Sequence, residues 1–158
     1  MSPSHVVVHA FLIGIVAGLL SLTAPAVVAW GAHLGWLKLR DSPLAFLGSM
    51  ITVIIFTILA LVEIVIDKRA STPSRLAPGG LVARIVTGAL CGAAIAVSGS
   101  QPIALGAALG GGGGAVGAFV GYQLRMRLVR ALKVPDWVIA SLGDAVAIGC
   151  GLLIVSGS

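Results

Sequence analysis

Glu63, Asp67, Arg84 and Asp144 are charged residues set in or at the ends of otherwise apolar runs. Carboxylates and a guanidinium in such a setting can bind a proton or a cation, pair with each other, or anchor a charged solute. Each costs roughly 2.5–3.5 kcal/mol at the centre of a membrane-spanning helix, so it faces a partner, a cavity or an interface. Glu63 and Asp67 are four residues apart and share a helix face. The plainer account of these two is pairing with Lys68 or Arg84 close to the headgroups. Asp144 lies about two turns into its own helix, which makes a helix-end role harder to sustain.

Other chemistries lack their signatures. The chain has no Cys/His cluster, no HExxH, no Ser/His pair at catalytic spacing and no P-loop. A headgroup-processing enzyme built on Asp67, Asp144 and the arginines would need a metal-binding carboxylate cluster that is not there. No catalytic residue, metal or cofactor is expected, and the chain is not expected to be an enzyme.

The elements around these residues belong to a membrane. The chain has 158 residues, of which 58% are hydrophobic and 9% charged, and its mean hydropathy is +1.12. A soluble domain carries about 25% charged residues. One transmembrane domain, 1–158, fits this composition. The formal net charge of +5 sits in short loops, which is a topology signal and not a nucleic-acid footprint. Cys91 and Cys150 lie deep in apolar runs and suit packing.

Residues 6–37 hold no Asp, Glu, Lys or Arg, a run longer than the ~20 residues one span needs. Ser21 and Pro25 mark its break, because proline lacks a donor and disfavours helix before it. Residues 25–37 rise only about 20 Å as a helix, too little for a ~30 Å core. They either extend the first helix past a kink or form a re-entrant half-helix. Trp30 and Trp36 suit an interface, and His33 reads as an interfacial or satisfied residue. Further spans are expected at 44–66, 81–97, 103–124 and 136–155. Ser98, Gln101 and Pro102 mark a tight hairpin, and Arg125, Arg127, Arg130 and Lys133 a basic connection.

The run Gly110–Gly114 is either a tightly packed helix face or an unwound cavity wall exposing backbone at Gly110, Gly112 and Gly114. The expected fold is therefore an all-α polytopic bundle of five spans, with 25–37 either prolonging the first helix or adding a re-entrant half-helix. Positive-inside places the basic loops 67–84 and 124–136 in the cytoplasm, together with the N-terminus. A sixth crossing at 25–37 would move the N-terminus outside. Similar Gly, Ser and Pro spacings in 1–79 and 80–158 suggest an inverted repeat.

The segments LALVEIVIDKRASTPSR at 59–75, ARIVTGALCG at 83–92 and SLGDAVAIG at 141–149 resemble an uncharacterised family of small bacterial integral membrane proteins. That resemblance implies a multi-pass protein of the bacterial inner membrane and carries no activity with it. Gly143 stands where the family pattern has an acidic residue, so a carboxylate pair at Asp144 does not follow. Two functions fit these residues. One is a small-solute or ion transporter, proton-linked through Glu63 and Asp144 with Arg84 as counter-charge. The other is a non-transporting assembly factor or accessory subunit packing through Gly/Ala faces. The expected partners are the lipid bilayer, an unknown small solute or ion, and further copies of the chain, but no nucleic acid.

Overall fold

Glycine decides which helices meet. The structure, a computed structural model, describes residues 3–39, 42–67, 78–133 and 136–157. Among these it is helical, with α1 at Pro3–Leu19, α2 at Thr23–His33, α3 at Met50–Asp67, α4 at Pro78–Ser98, α5 at Ile103–Leu132 and α6 at Asp136–Ser156. A short 3-10 turn at Ala45–Gly48 precedes α3. The expected turn residues Arg40 and Asp41, the linker 68–77 with its basic residues, and Pro135 lie outside the described residues.

Helices α1, α4 and α5 form the tight centre. Gly14 lies against the Gly110 backbone, Gly18 against Gly114 and Ala118, and Gly117 against Ile15, so α1 and α5 run parallel. Gly92 meets Gly106 and Gly88 meets Gly110, so α4 runs antiparallel to both. A methyl group at any of these glycines would overlap backbone atoms of the facing helix. Such close approach is how helices associate where burial from water cannot drive them together. The Gly110–Gly114 run is unbroken helix, so the unwound cavity wall is not present.

Helix α2 turns back on α1. It begins beside Glu63 of α3 and ends where Gly31 meets Val155 and Gly48 meets Ala32. Trp30 Nε1 donates to Thr57 Oγ1 at 2.9 Å, tying α2 to mid-α3. Gly151 of α6 faces Val16 and Val27, between the two arms, and a methyl group added there would be in ordinary contact with both side chains. The α1–α2 pair is thus a helical hairpin, and the six helices alternate in direction.

The start of α1 lies beside the α4–α5 turn, where Val6 covers Gly99. The first residues therefore share an end of the bundle with that turn and oppose the basic end of α5. This reverses the N-terminal side expected from five spans, because the hairpin adds one change of direction.

Several boundaries also differ. Helix α3 starts at Met50 and not at 44, because Ser49 Oγ accepts the Thr52 N–H at 3.2 Å and opens the helix there. Helix α5 continues through Arg125, Arg127 and Arg130 to Leu132, so the basic connection is helix. Among the described residues two stretches, Leu81–Ser98 and Ile103–Leu132, are long and apolar enough to cross a membrane, against the five expected. Pro3–Leu19, Met50–Glu63 and Ser141–Ser156 are apolar but shorter. Each half holds three helices and the halves start in opposite directions. However, α2 has 11 residues and its counterpart α5 has 30, so the halves are not equivalent in packing.

These contacts separate glycines that must stay glycine from those that need not. Gly14→Val should cost about 3 kcal/mol or more through backbone overlap. Gly112, whose added methyl would meet nothing, should tolerate alanine or gain up to about 1 kcal/mol in helix propensity. Thermal unfolding of the purified variants in mild detergent measures both.

Candidate functional site

The hairpin leaves backbone groups without helical partners in the bundle interior. The last α1 bond at the break is Leu20 N–H to Val16 O at 2.9 Å, after which Ser21 and Leu22 make the turn. Leu22 occupies the N-cap of α2 and has no side-chain oxygen with which to cap it. Pro25 sits in the first turn of α2, where a missing N–H costs little.

Glu63 supplies the cap from a different helix. Its Oε1 accepts the Ser21 N–H and the Ser21 hydroxyl, both at 2.7 Å. Its Oε2 accepts the Leu22 N–H at 2.7 Å. A carboxylate there meets the positive end of the α2 dipole as well as three donors.

Arg84 of α4 serves the other arm. Its Nε donates to the Gly18 carbonyl at 3.0 Å, among the last carbonyls of α1, which have no helical donor. The side chain is 9% exposed, and its own carbonyl lies against Gly114. A cation at the C-terminal end of α1 and an anion at the N-terminal end of α2 match both dipoles. Gly18 has to be glycine here, because a side chain would strike the α5 backbone.

Asp144 is 5% exposed on α6, on the same helix face as Gly151 and two turns from it. That distance, about 10 Å along the axis, brings it to the level of the hairpin turn. The structure thus gathers Glu63, Arg84, Ser21 and Pro25 at the turn and places Asp144 at the same end. Asp67 closes α3 one turn beyond Glu63, and its side chain lies outside the described part. Ser98, Gln101 and Pro102 are at the far end, in the α4–α5 turn. There Gln101 N–H reaches Ala96 O at 2.8 Å and Ser98 Oγ accepts the Lys38 N–H at 3.1 Å. Gly110 and Gly114 are buried in helix contacts and Gly112 faces outward.

His33 is exposed, and its Nδ1 donates to Gly48 O at 3.0 Å. A cavity of about 350 Å³ beside it, lined by Leu37, Leu39, Ala45 and Ser49, also lies at the far end. Among the described residues no group of His, Cys, Asp and Glu could hold a metal ion.

Sequence reasoning missed Gly18, Leu22 and Thr23. The first two act through backbone atoms, which carry no residue signature. Thr23 opens α2, is 3% exposed, and its hydroxyl makes no hydrogen bond among the described residues. A threonine beside a helix break is a signal that could have been used.

No family model, curated protein or solved structure matches this chain.

Removing the cap exposes its worth. Glu63→Ala leaves two tip N–H groups unsatisfied and should lower stability by roughly 2–4 kcal/mol, whereas Ser21→Ala, which loses one hydroxyl bond, should cost about 1 kcal/mol. Unfolding midpoints of the two variants against the natural chain check the order.

Proposed function

We propose that this chain is a multi-pass protein of the bacterial inner membrane that moves a small solute or ion, with Glu63 coupling the movement to a proton. The observation that carries the proposal is the charged cap: a carboxylate from α3 holds the buried turn of an interrupted helix. Discontinuous helices whose ends bind ions or substrates inside the bundle are a recurrent device of secondary transporters.

Membrane insertion has independent support. Helix α3 turns Ile51 (72% exposed), Ile54, Ile58, Leu61 and Val65 outward, and α6 turns out Leu153 (74% exposed). Contiguous apolar surface on this scale is rare on a soluble monomer. The two long apolar helices point the same way. The hairpin solves the problem of α2, which at 11 residues rises only about 16 Å and cannot cross alone. By positive-inside, the basic end of α5 is cytoplasmic, and both chain termini face the opposite side.

The chemistry follows from the cap. An ionised Glu63 accepts all three hydrogen bonds and holds the turn. A protonated carboxyl carries a donor of its own and no charge, so it loses its attraction for the N-terminal end of α2. The Ser21 and Leu22 N–H groups then become available to a solute, and Arg84 keeps the α1 arm in place. Proton binding at Glu63 and opening of the turn are thus one event.

An accessory subunit packing through small residues is the second reading. Gly112, Gly143 and Gly149 have open space in front of them and favour it. Against it, most glycines of α1, α4 and α5 are used up within this chain.

Two measurements test these proposals. In proteoliposomes with an imposed pH gradient, the natural chain should carry proton flux, and Glu63→Gln, inserted equally, should reduce it at least tenfold. No flux from the natural chain, or equal flux from both, removes the proton-linked role. Impermeant thiol reagents should label single cysteines placed at either terminus from outside the cell and one near Arg130 only from inside. A terminus reached only from the cytoplasm contradicts the six-element topology.

A further inference from the structure

Helices α5 and α6 are consecutive, yet they do not close on each other. A cavity of about 220 Å³ remains between Leu124 and Leu128 of α5 and Ile139, Leu142 and Val146 of α6, with Leu19 at its inner wall. Among the described residues, Arg125 is the one charged residue in its lining. The space would take about seven waters at ~30 Å³ each, but a buried water needs two to four polar partners. These walls supply almost none, so the suitable occupant is apolar along most of its length and anionic where it meets Arg125.

The surroundings narrow the choice. Arg127, Arg130 and Lys133 are exposed at or just past the same end of α5, on faces other than the one lining the groove, and add positive charge to that end. A guanidinium offers a planar fork of donors that matches a phosphate diester. Basic pockets between helices on the cytoplasmic side are suited to anionic lipid headgroups. Gly143 lines the groove on the α6 side, where an added methyl group would meet no atom within 4 Å.

We infer that the α5–α6 groove is a seat for an anionic phospholipid, with one acyl chain between the helices and the phosphate on Arg125. The seat rests on the proposed membrane insertion but not on transport. It joins the bilayer to the hairpin, because Leu19 is both a wall of the groove and the last residue of α1. A lipid held there packs against the arm that Arg84 holds.

The test is competitive retention of phosphatidylglycerol and phosphatidylcholine. Delipidated full-length protein is exposed to both at equal concentration and the bound lipid is read by native mass spectrometry. The natural chain should retain phosphatidylglycerol about fivefold or more over phosphatidylcholine, the effect of one cation meeting the headgroup. Arg125→Gln should bring that ratio close to one. Gly143→Phe should fill the groove and lose both lipids while helix content and unfolding midpoint stay unchanged. Equal retention of the two lipids by the natural chain, or unchanged retention by Gly143→Phe, overturns the seat. Vesicle flotation separates the two failures: a chain that does not float with vesicles fails as a membrane protein, whereas one that floats but shows no preference fails only as a lipid seat.

Discussion

A helix interrupted inside a bundle leaves carbonyls at one broken end and N–H groups at the other that need partners from elsewhere in the chain. The turn at Ser21 and Leu22 creates that situation between α1 and α2. Here it is met by an acid at one end and a base at the other, on helices that bring both within reach. Glu63 and Arg84 come from α3 and α4, so satisfying the turn fixes where those two helices stand relative to the hairpin. A neutral cap would satisfy the same donors. A charged one makes the turn sensitive to protonation, which is the basis of the proposed coupling.

The glycine contacts serve the same end. For Arg84 to reach Gly18 O, α1 and α4 must both lie close to α5, and Gly14, Gly18, Gly88, Gly110 and Gly114 permit it by removing every side chain between the backbones. The α1–α4–α5 centre is therefore a rigid frame. The hairpin turn, α2 and α6 pack around it through larger side chains, and α6 leaves the groove beside Arg125 open.

Part of this was legible in the sequence. Pro25 and Ser21 announced the break, because proline has a known cost in a helix, and buried charge at Glu63, Arg84 and Asp144 stood out against apolar runs. The partners of those charges were not legible. Glu63 caps backbone N–H groups and Arg84 meets a backbone carbonyl, and such atoms are alike at every position. The direction of α2 was open for a related reason: eleven apolar residues pack equally well as a continuation or as a return. The contacts of α2 with Glu63 and Thr57 of α3, and the glycine contacts that set α1 parallel to α5, decide it. The glycine run shows the limit of propensity, since five poor helix formers remain helical where close packing favours them.

The most direct test of the charged cap is amide hydrogen exchange at Ser21 and Leu22, in lipid nanodiscs, comparing the natural chain with Glu63→Gln. In the natural chain both amides should exchange slowly, as α5 amides do. In the variant they should exchange at least tenfold faster while α5 is unaffected. Equal exchange at these two amides in both proteins would mean that Glu63 does not hold the turn, and the account built on it would fail.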